Sequence, residues 1–187
     1  DIVLLAEGKP VIVKCPESQN FKITANQLEK NITEKTKWLM LNSPSNPTGA
    51  VYSASELQEL AEVLLKYPHV LIMSDDIYEK IIYDNLEFST LAFIEPKLKE
   101  RCLTLNGVSK AYCMTGWRLG YCGASKEIIA AMNKMQSQSN TSTSSISMAA
   151  AVEALEGSQD FIKDHNEAFV RRRDMVVSSL NQIEGIN

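Results

Sequence analysis

The chain has 187 residues, 44% of them hydrophobic and 22% charged, with 19 basic against 23 acidic side chains and a formal net charge of −4. That size fits one globular domain, at most two, with enough burial for a core without disulfides. The slightly acidic balance argues against a nucleic-acid binder, which gathers basic charge on one face, and no apolar run reaches the ~20 residues of a membrane helix.

In chain order, Val11-Ile12-Val13 is a short strand candidate, and Thr24 can cap a helix running to about Lys30. Lys37 to Leu41 is an apolar run that ends in a Pro/Asn/Gly-rich loop, Asn42 to Gly49. Ser53-Ala54-Ser55-Glu56 has the capping-box pattern, and Leu57, Leu60, Ala61, Leu64 and Leu65 follow it at helical spacing. Val70 to Met73 predicts a buried strand that stops at Ser74-Asp75-Asp76. Arg101 to Leu105 predicts another, followed by a Gly/Ser turn and Lys110. Leu119 to Cys122 predicts one more, with Ser125 capping a helix from about Lys126. From about Ser144 the chain reads as helical to Ser179, broken near Gly157-Ser158. Short apolar runs alternating with helical segments predict the α/β class: a mostly parallel sheet with flanking helices and a helical C-terminal part.

The four cysteines, Cys15, Cys102, Cys113 and Cys122, form no CxxC pair, and His69 and His165 lie far apart. A zinc site built from sequence-local ligand pairs is therefore not expected. The scattered cysteines read as core residues of a reduced, cytoplasmic protein. His69 reads as a loop or strand-edge residue and His165 as a solvated one, so proton handling is expected to rest elsewhere. The chain opens at Asp1 in mid-pattern, with no basic-then-apolar leader.

In open α/β sheets ligands collect beyond the carboxyl ends of the strands, and four runs place polar residues there. In Asn42-Ser43-Pro44-Ser45-Asn46-Pro47-Thr48-Gly49, two X-Pro steps stiffen a loop that can hold the Asn46 amide in one orientation. The same residues are also ordinary for a strand-to-helix turn. In Ser74-Asp75-Asp76-Ile77-Tyr78-Glu79 a carboxylate at a buried strand end needs a partner, such as a protonated heterocyclic nitrogen, and Tyr78 can turn its hydroxyl to the same side. Alternatively, Asp75 caps the following turn. Lys110, after Ser109, is suited to partial desolvation, which lowers an amine's pKa and exposes the lone pair that forms a Schiff base; a surface lysine beside a turn is the plain alternative. Arg118, between Gly116 and Gly120, is suited to bidentate phosphate recognition or to an interstrand ion pair.

Together these motifs resemble the class I and II aminotransferases, pyridoxal-phosphate enzymes of fold type I. Residues 42–49 resemble the family's N-x-P-x-N-P-T-G loop, and residues 74–79 its D-E/D-x-Y segment. Ser109-Lys110, with Arg118 eight positions on, resembles its lysine–arginine signature. The wording Asn106-Gly107-Val108-Ser109-Lys110 and Met114-Thr115-Gly116-Trp117-Arg118 is most similar to the bacterial aspartate aminotransferase branch, which includes aspartate/prephenate enzymes.

The resemblance implies catalytic roles for Lys110, Asp75 and Tyr78. Lys110 forms the imine with pyridoxal 5′-phosphate and later moves the substrate proton. Asp75 pairs with the ring nitrogen, while Tyr78 and Asn46 hydrogen-bond the ring oxygen. Asn46 also meets the substrate carboxylate, and Arg118 binds the phosphate with Ser109 as helper. One departure is Gly107, where some relatives carry a serine or threonine phosphate ligand three residues before the lysine. Family members are longer, so residues 1–187 are expected to be the central part of the cofactor-binding large domain, with the small domain absent or nearly so. The fragment alone is expected to be inactive.

The resemblance further implies a homodimeric intact enzyme of amino-acid metabolism, with neither nucleic acid nor membrane as partner. It would transaminate an aspartate-like amino acid with a 2-oxo acid such as 2-oxoglutarate. The alternatives are another fold type I chemistry, such as a β-C–S lyase, and a non-catalytic binding protein that retains the fold.

Overall fold

Among the described residues, four short strands hydrogen-bond in the order of their sequence: β1 (Trp38–Asn42), β2 (Leu71–Asp75), β3 (Cys102–Gly107) and β4 (Gly120–Gly123). The computed structural model describes residues 1–186. β1, β2 and β3 run parallel, as the βα alternation predicts, while β4 pairs antiparallel with β3 along the edge. Seven α-helices accompany them among the described residues: α1 (Ile2–Leu5), α2 (Ala25–Asn31), α3 (Ala54–Lys66), α4 (Leu91–Ile94), α5 (Lys126–Ser139), α6 (Ser145–Glu156) and α7 (Asp160–Leu180).

Local chemistry accounts for most of these elements. Thr24 and Ser53 each accept from the backbone N–H three residues on, and Gln27 and Glu56 return the bond, so both form complete capping boxes. Leu57, Leu60, Ala61 and Leu64 of α3 are buried as their spacing predicts. Leu65, however, lies at the margin of that stripe and is 36% exposed, with Val63 buried instead. Ser125 occupies the N-cap of α5 without making a side-chain cap bond.

One expected element does not form. Residues 8–16 carry no regular secondary structure, and Val11 and Ile12 are exposed. A strand needs a neighbour to receive its ladder hydrogen bonds, and none is offered here. The scattered cysteines also divide: all four are free, but only Cys102 is buried, whereas Cys113 is exposed.

The main core lies where α2, α3 and α4 cover the sheet, around Leu28, Leu60, Leu64, Ile72 and Leu91. Arg101 tightens the amino end of this layer. Its guanidinium donates to the carbonyls of Leu64 at 2.7 Å, Val70 at 2.6 Å and Tyr67 at 2.9 Å, joining the end of α3 to the start of β2. A second, smaller core joins Val108, Ala111 and Tyr112 to Ala151 of α6 and Ile162 of α7. The Tyr112 hydroxyl donates to Gln159 at 2.8 Å, fixing the segment after β3 to the α6–α7 junction. Among the described residues, no helix is long and apolar enough to cross a membrane.

Candidate active site

The register of the sheet brings the polar strand ends into line. Asn42 pairs with Asp75, and Asp75 with Leu105, two residues before β3 ends at Gly107. Because β4 runs antiparallel and Gly120 pairs with Gly107, Arg118 reaches the same edge as the residues that follow β3. The candidate residues thus gather at the carboxyl end of the parallel strands.

The 42–49 loop folds back on itself through Ser45 N–H to the Ala50 carbonyl at 3.0 Å and Gly49 N–H to the Ser45 carbonyl at 2.8 Å. Gly49 takes φ +70°, a conformation that a side chain rarely adopts. Both X-Pro bonds, Ser43-Pro44 and Asn46-Pro47, are cis. Buried Ser43 accepts from the Tyr52 N–H at 3.2 Å, which ties the loop's start to the N-terminus of α3. The exposed Asn46 amide donates through Nδ2 to the Tyr78 hydroxyl at 3.2 Å.

Past β2, Asp75 and Asp76 meet opposite environments. Asp76 is buried and accepts from the Ser74 hydroxyl at 2.6 Å; burial is the leading influence and pushes its carboxyl above the usual range, against hydrogen bonds from Ser74 and Thr90. Asp75 is half-buried. One of its oxygens accepts from the Ile77 N–H at 3.3 Å, the turn-capping arrangement, and the other has no hydrogen-bond partner among the described residues.

Lys110 is exposed, and its Nζ lies 5.5 Å from the centroid of the Tyr78 ring. This departs from the expectation of a partly desolvated amine. The turn after β3 buries Val108 and Ala111 but leaves the lysine facing outward. Ser109 is half-buried and makes no side-chain hydrogen bond among the described residues. Arg118 is exposed, adopts φ 52°, and donates to the Thr115 carbonyl at 3.0 Å. It makes no ion pair among the described residues, so the interstrand-pair alternative is not realised.

Asn46, Tyr78 and Lys110 therefore sit together, and Asp75 is next to them through the strand register. Ser109 and Arg118 share the rim without contacting the other candidates through side-chain hydrogen bonds. The histidines stand apart from this group: His69 lies 3.1 Å from the Thr33 carbonyl, and His165 faces Cys113, its Nδ1 3.9 Å from Sγ. Two contributors were not singled out from the sequence. The Asn42 side chain donates to the Asp75 carbonyl at 3.0 Å and accepts from the Asn46 N–H at 3.1 Å. The Ser74–Asp76–Thr90 group holds the turn beneath Asp75. Asn42 could have been found as the polar residue that closes an apolar run directly before the stiff loop.

Comparison with known proteins identifies the family. The family described as aminotransferase class I and II matches residues 1–187. An aspartate aminotransferase of Rhizobium meliloti is 56% identical over the whole chain, which covers 46% of that protein. An aspartate/prephenate aminotransferase of Cereibacter sphaeroides is 55% identical over 186 residues, again 46% of its length. Among solved structures, the Rhizobium meliloti aspartate aminotransferase superposes with a TM-score of 0.96 over 98% of this chain and 46% of its own, at 56% identity. The Thermus thermophilus aspartate aminotransferase with maleate gives a TM-score of 0.90 at 38% identity, covering 97% of this chain and 47% of its own. The chain spans about half the length of the curated relatives it matches. With its α/β sheet, its three motifs at one rim and a family match over its full length, the chain belongs to the class I and II aminotransferases.

Proposed function

We propose that the full-length protein catalyses pyridoxal-phosphate-dependent transamination between an aspartate-like amino acid and a 2-oxo acid such as 2-oxoglutarate. In this reading residues 1–187 are the central part of the large domain of a cytoplasmic homodimer. The observation that carries it is the meeting of Lys110, Tyr78 and Asn46 at the carboxyl rim of the sheet in a member of this family.

The donor set suits the cofactor. It offers a primary amine for an aldehyde, a carboxylate with an uncommitted oxygen for a ring nitrogen, an amide and a phenol for a ring oxygen, and a guanidinium for a phosphate. When bound, pyridoxal phosphate supplies the electron sink for the pair released as the substrate Cα loses its proton.

Everything else falls to this chain. Lys110 attaches the cofactor and holds and moves the proton at the substrate Cα. Asp75 favours a protonated ring nitrogen, because a carboxylate nearby stabilises the cation. Tyr78 and Asn46 donate to the ring oxygen, and Asn46 also orients the substrate carboxylate. Arg118 anchors the phosphate, with Ser109 beside the lysine as helper.

The test uses the full-length protein loaded with pyridoxal phosphate. Wild type should show a visible cofactor band and transfer amino groups from aspartate to 2-oxoglutarate, and Lys110→Ala should lose both. A Lys110→Ala variant that kept both would overturn the assignment. Pyruvate and ammonia released from cystathionine, in place of transamination, would identify a β-C–S lyase instead. Residues 1–187 alone should bind the cofactor weakly and show no useful turnover; normal turnover by that fragment would refute the fragment expectation.

A further inference from the structure

Asn42 ends β1 and pairs in register with Asp75. Both ends of its amide are engaged at once. Nδ2 donates to the Asp75 carbonyl at 3.0 Å, and Oδ1 accepts from the Asn46 backbone N–H at 3.1 Å. Asn46 in turn sends its own amide to the Tyr78 hydroxyl at 3.2 Å. A continuous path of three hydrogen bonds therefore runs from the backbone of one candidate residue to the side chain of another.

Beyond Asn42, the loop's one other hydrogen bond to the sheet among the described residues is at its start, from the Ser43 N–H to the Asp75 carbonyl. Ser45, Gly49 and Ala50 close the loop on itself, and Ser43 ties its start to Tyr52. Asn46 precedes Pro47, which has no N–H to add. From these contacts we infer that Asn42 is a positioning residue. It fixes the Asn46 loop against the strand end that carries Asp75, so that the Asn46 amide and the Tyr78 hydroxyl converge beside Lys110.

The residue type follows from the geometry. The position needs a donor and an acceptor on one short planar group, which asparagine supplies and aspartate does not. The Asp75 carbonyl also accepts from the Ser43 N–H at 3.3 Å, so removing Asn42 leaves it a partner. The loss then falls mainly on Asn46.

The inference rests on the proposed function for its consequence at the cofactor, and two measurements on the full-length protein separate the two claims. The first is amide hydrogen exchange in the apoprotein. Asn42→Ala should speed exchange of the Asn46 N–H by ~tenfold, the scale of one lost hydrogen bond. Asn42→Asp, which keeps the acceptor for the Asn46 N–H but loses the donor to the Asp75 carbonyl, should fall between wild type and Asn42→Ala. The second is the pH midpoint of the visible band in the holoenzyme. Asn46→Ala should raise it by ~0.5–1 pH unit, because losing a donor leaves the ring oxygen a stronger base.

Asn42→Ala should raise the midpoint in the same direction, and the double variant should match Asn46→Ala alone. Unchanged exchange at Asn46 in Asn42→Ala, or Asn42→Asp exchanging as fast as Asn42→Ala, overturns the brace. Fully additive midpoint shifts overturn the path through Asn46. A wild-type protein with no visible band refutes the transamination reading, and with it Asn42's effect on a cofactor, whatever the exchange data show of the brace.

Discussion

Gly107→Ala should destabilise the protein although it adds a single methyl group. A Cβ at this position would meet Ile77 Cδ1 at 3.1 Å, the Leu119 carbonyl oxygen at 3.1 Å and Gly120 Cα at 3.2 Å, all inside the 3.4 Å where ordinary van der Waals contact begins. The Ile77 methyl can turn aside. The other two atoms are backbone, and Gly120 is the ladder partner of Gly107, so relief requires the β3–β4 edge to open slightly. Overpacking of this kind costs about 1–3 kcal/mol, and the stiffer unfolded chain of an alanine variant returns about 0.4–1 kcal/mol. The net expectation is a loss of up to about 2.5 kcal/mol, and of about 1–3 kcal/mol relative to alanine variants at open glycines, read as a lower urea midpoint at unchanged slope in the full-length apoprotein.

Gly116→Ala and Gly123→Ala are the controls, because a Cβ there meets nothing within 4 Å. If Gly107→Ala proved as stable as these two, the close-approach argument would be wrong. Serine carries the same Cβ, so the hydroxyl that some relatives place three residues before the lysine would enter this chain only at the same steric cost.

Other expectations concern buried groups. Burial raises the Tyr52 phenol from 10.0 to about 12. The folded state therefore holds this proton after the unfolded chain has released it, and stability should fall as pH rises from about 10 to 12. Tyr52→Phe should lack that slope. It should also lose about 1–2 kcal/mol near neutral pH, because the Ile23 N–H, now 2.7 Å from the hydroxyl, loses its acceptor. Burial likewise holds the Asp76 carboxyl above its usual range, so its ionisation removes stability as pH climbs past that of an ordinary aspartate. Asp76→Asn can still accept from Ser74, and urea midpoints between roughly pH 4 and pH 7 should vary less than in wild type; an unchanged pH profile would refute this. The Cys102 thiol is buried and pushed up to about 11. A thiol reagent at roughly pH 8 should therefore label exposed Cys113 early and Cys102 only on unfolding.

The sequence disclosed what depends on local chemistry. Thr24 with Gln27 and Ser53 with Glu56 mark helix starts because the cap and its reciprocal partner lie three residues apart. The polar residues closing apolar runs, Asn42 and Asp75, mark strand ends that then align in the sheet. Pairing partners were less legible. Val11-Ile12-Val13 has the composition of a strand but no neighbour, and nothing local reveals that β4 runs against β3. Exposure also escaped local reading. Lys110 has an apolar stretch after it, yet the buried side chains of that stretch turn away from the lysine. Asn42 was hidden for a related reason, since one of its two contacts is to Asp75, thirty-three positions away and brought beside it only by the sheet.

The two ends of the sheet hold their arginines in opposite states. Arg101, at the amino end, is held by three carbonyls that join α3 to β2. Arg118, at the carboxyl end, gives one bond to Thr115 and keeps the remainder of its five N–H donors. An anion approaching the sheet thus finds one guanidinium largely engaged and the other largely free, at the rim that also carries the exposed Lys110. In the proposed function, cohesion and reception then separate along the strand axis: a substitution at the first arginine should be felt as lost stability, and one at the second as a lost guest.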